Sequence, residues 1–216
     1  VPTAEDLTRQ RWGAIILAGG AGRRLGGRDK GGLHIAGRSL VDRAVSAALA
    51  AGVRRPVIVV GPDQAVSAPP ETVRFTCEEP AGGGPVAALY AGRDALDDSV
   101  TGLLVWAVDM PGVDAGVLTG LCARATEAPS LDGAVLCDPD GRRQLAYALT
   151  CRALDAARPI RVADQAIHRL LKGVALAEWH ATTEQAADID TEADLEVAIS
   201  REGESGCTGE SARLDR

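Results

Sequence analysis

The stretch Ile15-Ile16-Leu17-Ala18-Gly19-Gly20-Ala21-Gly22-Arg23-Arg24-Leu25-Gly26-Gly27-Arg28-Asp29-Lys30 decides how the rest of the chain is read. It starts as a short apolar run with the length of a buried strand and opens into a glycine-rich, cationic loop. Glycine tolerates positive φ and lets the backbone approach a ligand closely, so successive N–H groups can converge on phosphate oxygens. Arg23, Arg24, Arg28 and Lys30 supply the matching charge. Together they read as a strand followed by a phosphate cradle.

Lys30 stands out by composition. Of 23 cationic side chains only Lys30 and Lys172 are lysine. A chain that writes nearly all its cations as arginine and places lysine here points to a need for a compact, mobile ammonium on phosphate; the plainer alternative is a solvated loop lysine. Two common phosphate motifs are excluded. A P-loop needs Gly-Lys, which occurs nowhere in the chain, and Leu25 stands where the third glycine of a G-x-G-x-x-G turn would fall. A long basic loop of this kind suits a nucleoside triphosphate better than a dinucleotide.

A length of 216 residues suits one sizeable α/β domain. The net charge of −7 argues against a nucleic-acid binder, whose footprint is basic. Against that acidic background the cationic loop forms a focused anion site. Five cysteines without a C-x-x-C pair fit a reducing cytosol, with neither a disulfide framework nor structural zinc. No apolar run reaches the length of a membrane span, and no signal-peptide core is evident. These features predict a soluble, cytoplasmic protein that engages neither membrane nor nucleic acid.

Apolar bursts alternate with Ala/Leu-rich helical stretches, which predicts a three-layer αβα, Rossmann-like, mostly parallel sheet. Strands are expected at 13–18, Val57–Val60, Val73–Cys77, Leu103–Val108, Ala134–Cys137 and Ala146–Thr150. Helices are expected from a Ser39 cap to Ala51, from Gly84-Pro85 onward, from about Val113, over 163–172, and from a Thr191-to-Asp194 cap to about Ser200. The expected organisation is a loose tail over 1–12, one domain over 13–200, and a disordered tail over 201–216.

Acidic positions complete the picture. Asp109 follows the apolar run Leu103–Val108, where open α/β sheets bind ligands. Beside a triphosphate loop it becomes a candidate Mg²⁺ ligand, since Mg²⁺ takes one or two carboxylates plus substrate phosphates; the alternative is an ordinary turn aspartate. Asp190, before the last helix, could complete that shell or complement the helix dipole. Glu78 opens a loop ending in Gly82-Gly83-Gly84. It could accept hydrogen bonds from a base or ribose, or be a solvated loop acid. His34, His168 and His180 have no ligand spacing, and no G-x-S-x-G elbow supplies a nucleophile.

These segments resemble the MobA-like nucleotidyltransferases, and most closely their molybdenum cofactor guanylyltransferase branch. The opening signature L-A-G-G-x-x-x-R-M-G-x-x-K is matched from Leu17 to Lys30, with Leu25 a volume-conserving replacement for methionine. Gly83-Gly84-Pro85 matches the G-G-P loop, Asp109-Met110-Pro111 the D-M-P, and Asp190-Thr191 through Leu195 the D-T-x-x-D-L. Gly141–Leu145 is similar to an acceptor-side stretch, without its usual proline after Gln144. The similarity covers about residues 13–199.

The resemblance implies Mg²⁺-dependent transfer of a nucleotidyl group, from GTP, to the terminal phosphate of molybdopterin, releasing pyrophosphate. Leu17, Ala18, Gly19, Gly20, Arg23, Lys30, Glu78, Gly84 and Asp109 would bind the nucleotide. Arg24, Lys30 and Asp109 would act in catalysis, and Asp109 with Asp190 would hold Mg²⁺. Molybdoenzymes or cofactor-delivery proteins are the macromolecular partners it implies. Cytidylyl transfer to the same cofactor, transfer to another small phosphate, and a non-enzymatic cofactor-delivery domain remain open alternatives, with a Rossmann oxidoreductase behind them.

Overall fold

Strand β1 (Trp12–Leu17) is buried along its whole length because both faces of the sheet are covered at its centre. Trp12, Ala14 and Ile16 pack into one core layer and Ile15 and Leu17 into the other. A strand covered on both sides has no polar face, and so reads as an unbroken apolar run. The computed structural model describes residues 11–20 and 25–207.

The remaining strands are β2 (His34–Ile35), β3 (Arg38–Ser39), β4 (Val57–Val60), β5 (Val73–Thr76), β6 (Gly102–Ala107), β7 (Gly133–Cys137), β8 (Arg143–Thr150) and β9 (Leu176–His180). With β1, six of them form one seven-stranded sheet in the order β5–β4–β1–β6–β8–β7–β9, while β2 and β3 make a separate short antiparallel hairpin. Strand β8 runs antiparallel to β6 and β7; the other pairings are parallel. The chain steps from β1 outward through β4 and β5, then returns to pair β6 on the other side of β1. That reversal is where an open parallel sheet leaves a crevice beyond the carboxyl ends of its strands.

Helix α1 (Leu40–Ala51) starts where the Ser39 hydroxyl accepts the Asp42 N–H at 3.1 Å and stops at Gly52. Helix α2 (Pro85–Asp94) opens on proline, and α3 (Ala115–Ala125) is capped by Asp114. They are followed by α4 (Cys151–Ala156), α5 (Ile167–Leu170), α6 (Thr183–Ala186) and α7 (Glu192–Cys207). Val45 of α1, Leu118 and Leu121 of α3 and Leu195 of α7 share one core layer with Leu104 and Trp106. Leu89 and Tyr90 of α2, Leu154 of α4 and Ile167 of α5 share the other with Leu103 and Val105. The three-layer arrangement is the one the sequence pattern predicts.

Four local expectations are corrected. The helix expected over 163–172 contracts to Ile167–Leu170, because Asp164 takes a positive φ of 59° and donates its N–H to the Gly83 carbonyl. The last helix continues past Ser200 to Cys207, so 201–207, expected in a disordered tail, are helical. The first strand starts at Trp12, inside the expected leading tail. Strand β9, which the sequence reading does not anticipate, pairs parallel to β7. Residues 1–10 and 208–216 of the two expected tails lie outside the described residues.

Candidate active site

The loop after β1 leaves the sheet beside β4. The Ala18 N–H donates to the Val60 carbonyl at 2.8 Å, and a side chain at Gly61 would stand 2.9 Å from the Ala18 carbonyl carbon. Only glycine permits this approach, which opens a cavity of about 640 Å³ over the strand ends. Leu17, Ala18, Gly19, Gly20, Lys30, Glu78, Gly84 and Asp109 all line it. Gly84, at φ 86°, turns the chain into Pro85 and leaves the amino end of α2 without a side-chain cap. Its free N–H groups and helix dipole favour an anion there.

Lys30 begins a 3₁₀ turn (Lys30–Gly32) that Asp29 caps by accepting the Gly31 N–H at 3.1 Å. Gln64 donates to the other Asp29 oxygen, and Arg28 pairs with Glu192 in the first turn of α7. So braced, Lys30 places its Nζ 2.6 Å from Asp109 Oδ2 and 2.6 Å from Asp190 Oδ1. Burial disfavours the ammonium, but the hydrogen bonds and charges of Asp109 and Asp190 outweigh it and raise the Lys30 pKa above its ordinary value.

The two acids are brought together by backbone. Asp109 lies just beyond β6, and its carbonyl accepts the Ile189 N–H at 2.9 Å. Thr191 caps α7, its hydroxyl accepting the Asp194 N–H while Asp194 accepts the Thr191 N–H at 2.8 Å. The Asp190 carboxylate is thereby left to face Lys30. For a divalent cation the donor set fits: two carboxylates, hard oxygen donors, already converge on one point of positive charge. Among the described residues no group of three or more His, Cys, Asp or Glu forms a metal cage. That suits an ion whose remaining ligands are phosphates and water.

Most nucleotide-site residues read from the sequence therefore line one space: Leu17, Ala18, Gly19, Gly20, Lys30, Glu78, Gly84 and Asp109, with Asp190 reaching it through Lys30. Arg23 and Arg24 lie outside the described residues. Glu78 accepts the Gly82 N–H at 3.1 Å, so part of its acceptor capacity holds its own loop.

The sequence reading misses Asp188. Partial burial and the charges of Asp190 and Asp109 push its carboxyl above the ordinary range, against the pull of Lys30. In an extended segment residues i and i+2 share a side, so Asp188-Ile189-Asp190, with a buried apolar residue between two acids, carries the signal. Asp188 lines a second cavity of about 490 Å³ together with Asp138, Asp140, Arg142 and Gln144. Strand β8 borders both spaces, with Gln144 in the second and Leu145 in the first.

A Rossmann-like sheet with a glycine-rich loop after its first strand, one acid beyond β6 and a second just before α7 is the architecture of an α/β nucleotidyltransferase fold. The chain belongs to the MobA-like NTP transferase family, whose domain model matches residues 14–183. It is 34% identical over 202 residues to a molybdenum cofactor guanylyltransferase of Acidiphilium cryptum, covering 86% of this chain and 92% of that protein. It is also 34% identical over 161 residues to a probable molybdenum cofactor guanylyltransferase of Opitutus terrae, covering 72% and 75%. In fold it is similar to molybdopterin-guanine dinucleotide biosynthesis protein A of Archaeoglobus fulgidus, with a TM-score of 0.62, 19% identity and coverage of 88% and 98%. A homologue of Mycobacterium tuberculosis Rv0371c from Mycobacterium sp. strain JC1 superposes with a TM-score of 0.71, 17% identity and coverage of 91% and 98%.

Proposed function

We propose that this protein transfers the guanylyl group of GTP to the terminal phosphate of molybdopterin and releases pyrophosphate. One observation carries the reading. The only lysine of the glycine-rich segment meets two carboxylates from distant loops, at 2.6 Å each, and lines the same cavity as Leu17–Gly20. The names of the two 34% identical relatives support guanylyl transfer and a molybdenum cofactor acceptor.

The Leu17–Gly20 backbone and Glu78 hold the base and ribose, and Gly84 with the amino end of α2 receives phosphate. Lys30 and Arg24 neutralise the charge that builds on the departing pyrophosphate. Asp109 and Asp190 would hold Mg²⁺, which when bound would neutralise phosphate charge. The chain's own task is positioning: it sets the acceptor phosphate in line with the α-phosphorus and keeps the reacting groups together. No general base is needed, because a phosphate nucleophile is already ionised. The second cavity, lined by Asp138, Arg142, Gln144 and Asp188, receives the acceptor. The reaction belongs in the cytoplasm, a placement supported by the cysteine pattern; no helix among the described residues is long and apolar enough to cross a membrane. Molybdoenzymes or delivery proteins would take the product.

The test is pyrophosphate release with each of four NTPs, with and without molybdopterin. GTP with acceptor is expected to give the fastest release. Equal or faster release with CTP would replace guanylyl by cytidylyl transfer.

A further inference from the structure

Lys30 faces two sets of partners and can serve one at a time. Its Nζ lies 2.6 Å from an oxygen of Asp109 and 2.6 Å from an oxygen of Asp190, with only 17% of its side chain exposed. An ammonium has three donors, and two of these are spent on the acids rather than on the triphosphate that the cavity takes up in the proposed reaction. The same two oxygens form the cation site described above. A divalent ion and an ammonium cannot occupy one slot, because they repel and compete for the same lone pairs.

We infer that in the nucleotide-free protein Lys30 plugs the divalent-cation position between Asp109 and Asp190, so that metal is taken up only together with nucleotide. The inference rests on the nucleotidyl-transfer reading. The exchange needs little motion. The turn that carries Lys30 is fixed by Asp29 and Gln64, and Lys30 itself lines the nucleotide cavity. Its flexible four-carbon stem lets the ammonium swing from the carboxylates to phosphate oxygens without moving the backbone. Nucleotide phosphates draw the ammonium off the acids, and the ion takes its place between them. The plug also keeps the two acids from repelling each other while the site waits.

Two measurements on the full chain test this. In the first, nucleotide-free protein is titrated with Mn²⁺ and followed by electron paramagnetic resonance. Lys30→Met is expected to bind Mn²⁺ at least about tenfold more tightly than wild type, while Lys30→Arg, which keeps a cation in place, stays weak. Adding Asp109→Asn to Lys30→Met should remove the gained site. Equal affinity of wild type and Lys30→Met would overturn the plug.

The second measurement needs no variant. With two lysines in the chain, lysine-selective isotope labelling gives a two-signal spectrum. The Lys30 resonance should stay put in millimolar Mg²⁺ alone and move when a non-hydrolysable GTP analogue is added with it. Movement with Mg²⁺ alone would again overturn the plug and leave the transferase reading standing. If wild type binds no Mn²⁺ even with the analogue, the transferase reading fails and the inference falls with it.

Discussion

The Ile189 amide donates to the Asp109 carbonyl over 2.9 Å, locking the loop after β6 to the segment that leads into α7. Asp109 lines the larger cavity and Asp188 the second, so this bond stands where the two linings meet.

The two acids of that cluster differ in exposure, 19% for the Asp109 side chain and 43% for Asp190. Charge acts more strongly where water is excluded. Asp109→Asn is expected to lower pyrophosphate release by at least about a hundredfold and Asp190→Asn by about tenfold. Initial rates across a Mg²⁺ titration measure both, and equal losses would contradict the ranking.

Glu78 lines the larger cavity, as Lys30 and Asp109 do, and sits on the loop that leads to Gly84. Glu78→Ala is expected to raise KM for the nucleotide about tenfold and leave kcat within about threefold, since uniform binding is lost rather than transition-state stabilisation. Steady-state kinetics decide this; a fall in kcat alone would place Glu78 in the chemistry instead.

Asp42 contributes to the acid limb of stability. Its burial works against ionisation, but the Ser67 N–H, donating at 2.6 Å, and the Arg38 guanidinium prevail and hold its pKa below 3.8. A carboxylate with a lowered pKa contributes stability above its unfolded value and loses it as pH falls through the folded one. Asp42→Ala should therefore cost about 2 kcal/mol at neutral pH, and the difference from wild type should shrink as pH drops below 3.8. Urea unfolding at several pH values tests it, and a pH-independent difference would count against the assignment.

Cys77 is exposed and lines the same cavity as Lys30, whereas Cys122, Cys137 and Cys151 are buried and their thiols are pushed up by that burial. Among these four, Cys77 is expected to react first with an alkylating reagent, and GTP should slow it at least about fivefold. Peptide mass mapping after timed labelling reads the result. Labelling indifferent to GTP would move the nucleotide elsewhere.

Local chemistry was legible wherever one residue suffices to punctuate the chain. Ser39 and Gly52 bound α1 as expected, Pro85 opens α2, and Thr191 with Asp194 starts α7. The short edge strand β9 was not legible, because Leu176–His180 is only partly buried and its place depends on pairing with β7. Helix α4 was hidden behind the expected strand ending at Thr150, which in fact caps it by accepting the Ala153 N–H at 3.2 Å. The helix expected over 163–172 shortened because Asp164 bonds Gly83, a partner no local pattern contains.

By itself the sequence determined the central strands of the sheet, since doubly covered strands must be written as unbroken apolar runs, and it marked Lys30, Asp109 and Asp190 through the residue types around them. Only the tertiary structure decided that these three meet at 2.6 Å, and that Asp188 stands beside them above a second cavity. Burial leaves its imprint on every residue of a strand. A contact between loops is set by how the strands order themselves across the sheet, and no single stretch of sequence carries that order.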